Sequence, residues 1–118
     1  MSHHNDTGKK GEELAAVYLR QQGFTILHCN WRHSHYEIDI IAHRNDLLHF
    51  IEVKTRRSLT YGQPEESISK KKLECLLKGG AAYQEQFPQW RKVQYDVLSI
   101  TLLKGQEPEY FFIEDVYL

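Results

Sequence analysis

An α/β fold, with a mixed sheet flanked by helices in the order αβββαββ, is the expectation from three observations. Apolar residues fall at helical spacing in two stretches, and five other stretches are rich in strand formers. The helices interrupt the strands instead of being set apart from them, which argues against two stacked sheets. At 118 residues, 41% hydrophobic and 26% charged, the chain has the size and composition of one domain with one core. The expected division is a flexible N-terminus over residues 1–7 and a single domain over residues 8–118.

The first helix is read from Gly8 to Gln22, where Leu14, Ala15, Val17, Tyr18 and Leu19 are spaced for one buried face and Gly23 is a natural stop. "FTILHCNW" (24–31) and "HYEIDIIAHR" (35–44) then read as two antiparallel strands. In the second, alternation predicts Tyr36, Ile38, Ile40 and Ala42 on one face and His35, Glu37, Asp39 and Ile41 on the other. "RND" (44–46) favours a tight turn into "LLHFIEVKTRR", the third strand of a meander. After a loop marked by Gly62 and Pro64, Ile68 to Phe87 is the second helix, with Ser67 or Ser69 as its N-cap and Pro88 beyond its end. Gly79-Gly80 inside it implies a kink or close packing. "VQYDVLSITLL" (93–103) and "EYFFIEDVYL" (109–118) are the last two strands, joined by the turn "KGQEP".

Charge is unevenly distributed although the net value is only -1. Residues 54–92 hold nine Lys/Arg against four Asp/Glu, and residues 93–118 hold one against five, so the chain is no general DNA coater but has a local basic segment. Cys29 and Cys75 form no Cys-x-x-Cys motif, which suggests neither a disulfide framework nor a thiolate zinc site, and free thiols fit a reducing cytoplasm. There is no N-terminal apolar h-region and no apolar run near the roughly 20 residues a spanning helix needs. The reading is a soluble cytoplasmic protein with no membrane partner.

The third strand carries the chemistry. In "HFIEVKTRRS" (49–58), Glu52 and Lys54 share a strand face about 7 Å apart at the backbone. Glu37 and Asp39 share a face of the preceding strand. If those faces coincide, Asp39 and Glu52 become cross-strand neighbours of like charge, a conflict that a divalent cation resolves. Hard oxygen ligands without soft partners point to Mg²⁺ or Mn²⁺, and such an ion with Lys54 nearby suits phosphodiester hydrolysis. Arg56, Arg57, Lys70, Lys71 and Lys72 are candidates for holding nucleic-acid phosphates, with Tyr61 and Trp31 as aromatic support. The alternative for these cations is an ordinary solubilising face. A zinc site using His33, His35 or His49 is disfavoured, because no histidine spacing matches a zinc motif.

Five motifs, "GKKGEELAAVYL", "YEIDIIA", "FIEVKTRR", "YGQPEESISKKK" and "QYDVLSI", together resemble the YraN-type family of small bacterial proteins. That family lies within the PD-(D/E)xK nuclease superfamily and is similar in fold to archaeal Holliday-junction resolvases. The resemblance runs from about Gly8 to Tyr117 and implies a restriction-endonuclease-like sheet. It implies Asp39 and Glu52 as metal-binding carboxylates, Lys54 as the catalytic lysine, and Glu12 on the first helix as an acid reaching the same metal. Gln63 and Lys72 fall near positions the family keeps polar or basic, and Asp96 matches its "F-D-V" element. Glu37 and Gln63 are candidates for hydrogen bonding behind the ligands. Tyr36 departs from the family, which usually has Gly there.

The function expected is that of an Mg²⁺-dependent endonuclease-like protein acting on DNA, on branched or damaged structures in repair or recombination. The alternative is a nucleic-acid-binding or partner-docking module that keeps the nuclease fold without turnover. A weaker option is hydrolysis of another phosphate ester. A homodimer built on the apolar tail "EYFFIEDVYL" is a further expectation, with an internal strand as its rival reading.

Overall fold

The structure, a computed structural model, describes residues 6–57 and 69–116. Gln63, Tyr61, Ser67 and Ile68 lie outside the described residues. Helix α1 (Asp6–Gln21) is followed by strands β1 (Thr25–His33), β2 (Tyr36–Arg44) and β3 (Leu47–Arg56), helix α2 (Lys70–Gln86), and strands β4 (Val93–Thr101) and β5 (Glu109–Ile113). The order is the αβββαββ expected. The strands form one sheet in sequence order, antiparallel except for the β3–β4 pair, which is parallel. A parallel pair needs a crossover, and α2 supplies it.

Each helix covers one face of the sheet. Ala15 and Leu19 of α1 pack on Ile40, Ala42, Ile51, Leu98 and Ile100, while Leu73, Leu76 and Tyr83 of α2 pack on Ile38, Ile41, Leu48, Phe50 and Tyr95. Neighbours in β3 thus divide cleanly, with Ile51 and Val53 toward α1 and Phe50 toward α2. The close approach of α2 depends on its paired glycines. A Cβ on Gly80 would stand 2.7 Å from the Tyr95 ring and 2.9 Å from Phe50, and one on Gly79 would meet Ile38 and Tyr36 at 3.3 Å. Of the two readings of Gly79-Gly80, close packing is therefore the one observed.

Several boundaries differ from the sequence reading. Helix α1 opens at Asp6, two residues before Gly8. Ser69 is the observed cap of α2, its hydroxyl accepting from the Lys72 amide. The final strand is shorter than "EYFFIEDVYL": it stops at Ile113, and Asp115 turns through a left-handed conformation (φ 57°). That segment is an edge strand of the sheet, paired along β4. The β2–β3 turn has Asn45 and Asp46 both at positive φ (53° and 64°), the conformation of a two-residue hairpin.

The face assignment in β2 is corrected. Ile38 faces α2, but Ile40 and Ala42 face α1, so alternation switches at Asp39. The partner strand switches with it. His28 and Trp31, three positions apart, both meet Tyr83 on the α2 side, and Asn30 between them is left-handed (φ 55°). Pairing resumes in unchanged register beyond the irregular rung, Cys29 with Ile40 and Trp31 with Ile38. The two strands bend together there, and the register shift of this pair lies farther along, between Ile26 and His28.

A second polar feature lies inside the core. His49 and Asp96, on neighbouring strands, are 1% and 0% exposed, and the other Asp96 oxygen accepts from Gln94 and from the Asp115 amide. His49, one of the histidines considered for zinc, is thus engaged in the interior by Asp96.

Candidate active-site cleft

The β2–β3 ladder ends at the pair Ile40 and Ile51. Continuing it by one rung would set Asp39 directly opposite Glu52. Instead β2 bends away, and the Asp39 carboxylate accepts a hydrogen bond from the Val53 amide at 2.8 Å, standing in for the missing strand neighbour. The fork opens toward α2 as a cavity of about 270 Å³ lined by His35, Glu37, Asp39, Glu52, Ser69, Lys71, Lys72, Cys75 and Leu76.

Burial and the neighbouring Glu52 charge raise the Asp39 pKa from 3.8 to about 7, against the opposing pull of the Val53 amide and Lys72. Glu52 is 7% exposed and receives the Lys72 ammonium at 2.6 Å. Burial would lower the Lys72 pKa, but the hydrogen bond to Glu52 and the charges of Glu52, Asp39 and Glu37 together raise it above its ordinary value. Two desolvated carboxylates therefore share the fork with one ammonium.

The sequence-derived residues separate into those brought together and those held apart. Asp39, Glu52 and Glu37 line one cavity, and Lys71 and Lys72 border it. Glu37 also meets Arg32 at 3.4 Å, so it is neither purely outward nor purely a backing group. Lys70 is exposed at the start of α2. Lys54 is half-buried beyond Glu52 on β3 and does not line the cavity. Arg56 reaches Thr101 at 3.4 Å, and Arg57 is exposed past the strand end. Glu12 lines a different groove with Lys9, Glu13, Arg20, Cys29 and Asn30, and accepts from Asn30 at 3.2 Å. Its charge still adds to the Asp39 shift, as the smallest contribution. Trp31 packs against Tyr83 and stacks on His33 outside this cavity. Tyr36 lies over Gly79 and borders a separate hollow with Arg32, Ser34, His35 and Glu37.

The sequence reading considered His35 only as a disfavoured zinc ligand, and it missed Ser69 and Cys75 in the cavity wall and the Lys72–Glu52 pair. Spacing gives no hint of that pair, because its members lie 20 positions apart across the α2 crossover.

The donor set fits a hard divalent cation. The Val53 amide engages one Asp39 oxygen, Glu52 already holds a cation in the Lys72 ammonium, and a bound dication would offset the burial and the Glu52 charge that raise Asp39. No group of three or more metal-ligating side chains forms among the described residues. Two carboxylates nevertheless suit Mg²⁺, which keeps several waters and completes its sphere with substrate phosphate.

Comparison with known proteins agrees with the geometry of the fold. The model of the family described as Uncharacterised protein family UPF0102 matches residues 11–100. A UPF0102 protein of Phocaeicola vulgatus is 40% identical over 117 residues, covering 98% of this chain and 93% of its own. One from Rhodococcus opacus is 37% identical over 118 residues, covering 99% and 100%. Among solved structures, Archaeoglobus fulgidus Hjc, a Holliday junction resolvase, superposes with a TM-score of 0.50 at 21% identity, covering 88% of this chain and 75% of that one. The similarity in structure is one of fold. With matching motifs, a matching family model and relatives aligned end to end, the chain belongs to UPF0102, the YraN-type family.

Proposed function

We propose that the chain is a nucleic-acid-binding protein of the endonuclease type, whose cleft holds Mg²⁺ or Mn²⁺ between Asp39 and Glu52 and hydrolyses DNA phosphodiester bonds. The observation that carries this reading is the pair of desolvated carboxylates at the end of an opened strand ladder, with Asp39 raised to about 7 by burial and by Glu52. A bound dication would supply Lewis-acid activation of the phosphodiester and of a water nucleophile. Asp39 and Glu52 would ligate it, and the Val53 amide would hold Asp39 in place. Lys71, which lines the cleft, and Lys70 before it in the chain would take phosphates, and Arg56 and Arg57 would extend the track from the end of β3. Lys54 would neutralise charge that develops in the transition state after a small movement toward the fork. The Hjc fold supports branched DNA as the first substrate to try.

The test is cleavage of duplex, single-stranded, flap and four-way DNA by purified protein with Mg²⁺ or Mn²⁺. The expected result is metal-dependent cutting that Asp39→Ala and Glu52→Ala abolish. Cutting that survives both substitutions removes this cleft from the reaction.

A second reading has its own support. Lys54 stands off the cavity and Glu12 lines a separate groove, an incomplete set for turnover. In this reading the fold binds nucleic acid or a partner without cleavage. Salt-sensitive DNA binding that needs no dication, with no metal detected by calorimetry, would favour it.

A further inference from the structure

Resting on the metal reading of the cleft, we propose that Lys72 is a resident counter-ion that occupies the cation's place beside Glu52 and must be expelled when a divalent ion enters. Glu52 cannot stand alone. Its side chain is 9% exposed, and an unpaired buried carboxylate is strongly unfavourable. The Lys72 side chain is 55% exposed and loses little when it swings into water. The pair is thus asymmetric: one partner is fixed and needs a cation, and the other is a mobile cation with a solvent alternative.

The position of Lys72 has an independent peculiarity. Lys70, Lys71 and Lys72 form the first turn of α2, and that turn has no acidic residue. Positive charge at a helix N-terminus opposes the helix dipole. The Ser69 cap fixes the start of the helix through the Lys72 amide itself, so the third lysine is set over the carboxylates despite that penalty. Lys71 lines the same cavity, whereas Lys70 does not. The acidic fork accounts for the arrangement. Once expelled, the Lys72 ammonium remains tethered at the cleft mouth beside Lys71, among the groups proposed to meet phosphate. Metal loading and phosphate affinity would then rise together.

The experiment is calorimetric titration of Mn²⁺ and Mg²⁺ into wild type, Lys72→Met and Lys72→Arg, with folding checked by circular dichroism. Lys72→Met, which keeps the apolar stem and loses the competitor, should bind the ion about tenfold more tightly, a charge-assisted hydrogen bond discounted for its half-exposed partner. Lys72→Arg should stay within about threefold of wild type, since a cation remains to be displaced. A second measurement needs no variant: the acetylation rate of Lys72 in the wild-type protein, read by mass spectrometry, should rise several-fold on adding saturating Mg²⁺, while that of Lys104 stays constant. Equal or weaker binding by Lys72→Met, or an acetylation rate unmoved by bound Mg²⁺, overturns the role of Lys72 and leaves the metal cleft standing. Absence of ion binding by both wild type and Lys72→Met ends the metal reading itself, and this inference with it.

Discussion

The His49 imidazole and the Asp96 carboxylate are joined at 2.6 Å with both side chains sealed from solvent. Asp96 also receives the Asp115 amide at 2.9 Å, so one carboxylate ties β3, β4 and the segment after β5. Removing Asp96 takes this partner from the buried His49 ring, and removing His49 leaves one buried Asp96 oxygen without it. Asp96→Ala and His49→Ala should each lower unfolding free energy by about 3 to 5 kcal/mol in urea titrations. A loss below about 1 kcal/mol from both would show that the pair does not anchor the C-terminal segment.

The two helical glycines should answer differently to alanine. Alanine gains about 1 kcal/mol of helix propensity at either site. At Gly79 the new methyl group would meet Ile38 and Tyr36 at 3.3 Å, and the protein should stay within about 1 kcal/mol of wild type. At Gly80 it would press on the buried Tyr95 and Phe50 at under 3 Å, and the net effect should be a loss of about 1 to 2 kcal/mol. Thermal unfolding of the two single variants distinguishes these outcomes, and an equal response would contradict the packing described.

The elevated Asp39 pKa fixes the sign of a pH effect. Its folded value of about 7 lies above the ordinary 3.8, so the folded protein holds this proton more tightly than the unfolded chain does. In metal-free buffer, the contribution of Asp39 to stability should fall as pH rises from about 4 to about 7 and level off above. Asp39→Asn removes the charge while its amide oxygen still accepts from Val53. The variant should therefore gain on wild type across that window, by an amount on the order of a few kcal/mol at pH 8. Stability curves that stay parallel from pH 4 to 8 would mean that Asp39 is not held near neutrality.

Lysine contacts to phosphate leave a salt signature. If Lys71 neutralises one phosphate, Lys71→Ala should weaken DNA binding and reduce the slope of log K against log salt by about 0.9. Lys104, exposed in the turn before β5, serves as the control, and its alanine variant should leave the slope unchanged. Fluorescence anisotropy over a range of NaCl concentrations reads both. Identical slopes for the two variants would take Lys71 off the phosphate path.

Much of the architecture was legible because it is local. Helical spacing located both helices, and Asn45 and Asp46 marked the tight turn between β2 and β3; Asp39 and Glu52 were expected as neighbours if the strand faces coincide, and the ladder stops one rung short of pairing them. The switch of faces at Asp39 was not legible, since it depends on a left-handed Asn30 in the next strand, and Asn occurs in many strands without such a bend. The Lys72–Glu52 and His49–Asp96 contacts were hidden for a different reason. Each joins elements whose adjacency exists only once α2 has carried the chain from β3 to a parallel β4.

The interrupted β2–β3 ladder also implies a conflict between two uses of the same backbone. Zipping one rung further would give the sheet more regular pairing, and it would bring two carboxylates face to face while closing the space between them. A sequence selected for stability alone would close that rung with a pair of apolar residues. This one leaves the seam open there and places its buried His49–Asp96 pair and the close Gly80 contact elsewhere in the core. Any ligand that bridges Asp39 and Glu52 would therefore act as a missing stitch, extending a seam that the two strands themselves close only as far as Ile40 and Ile51.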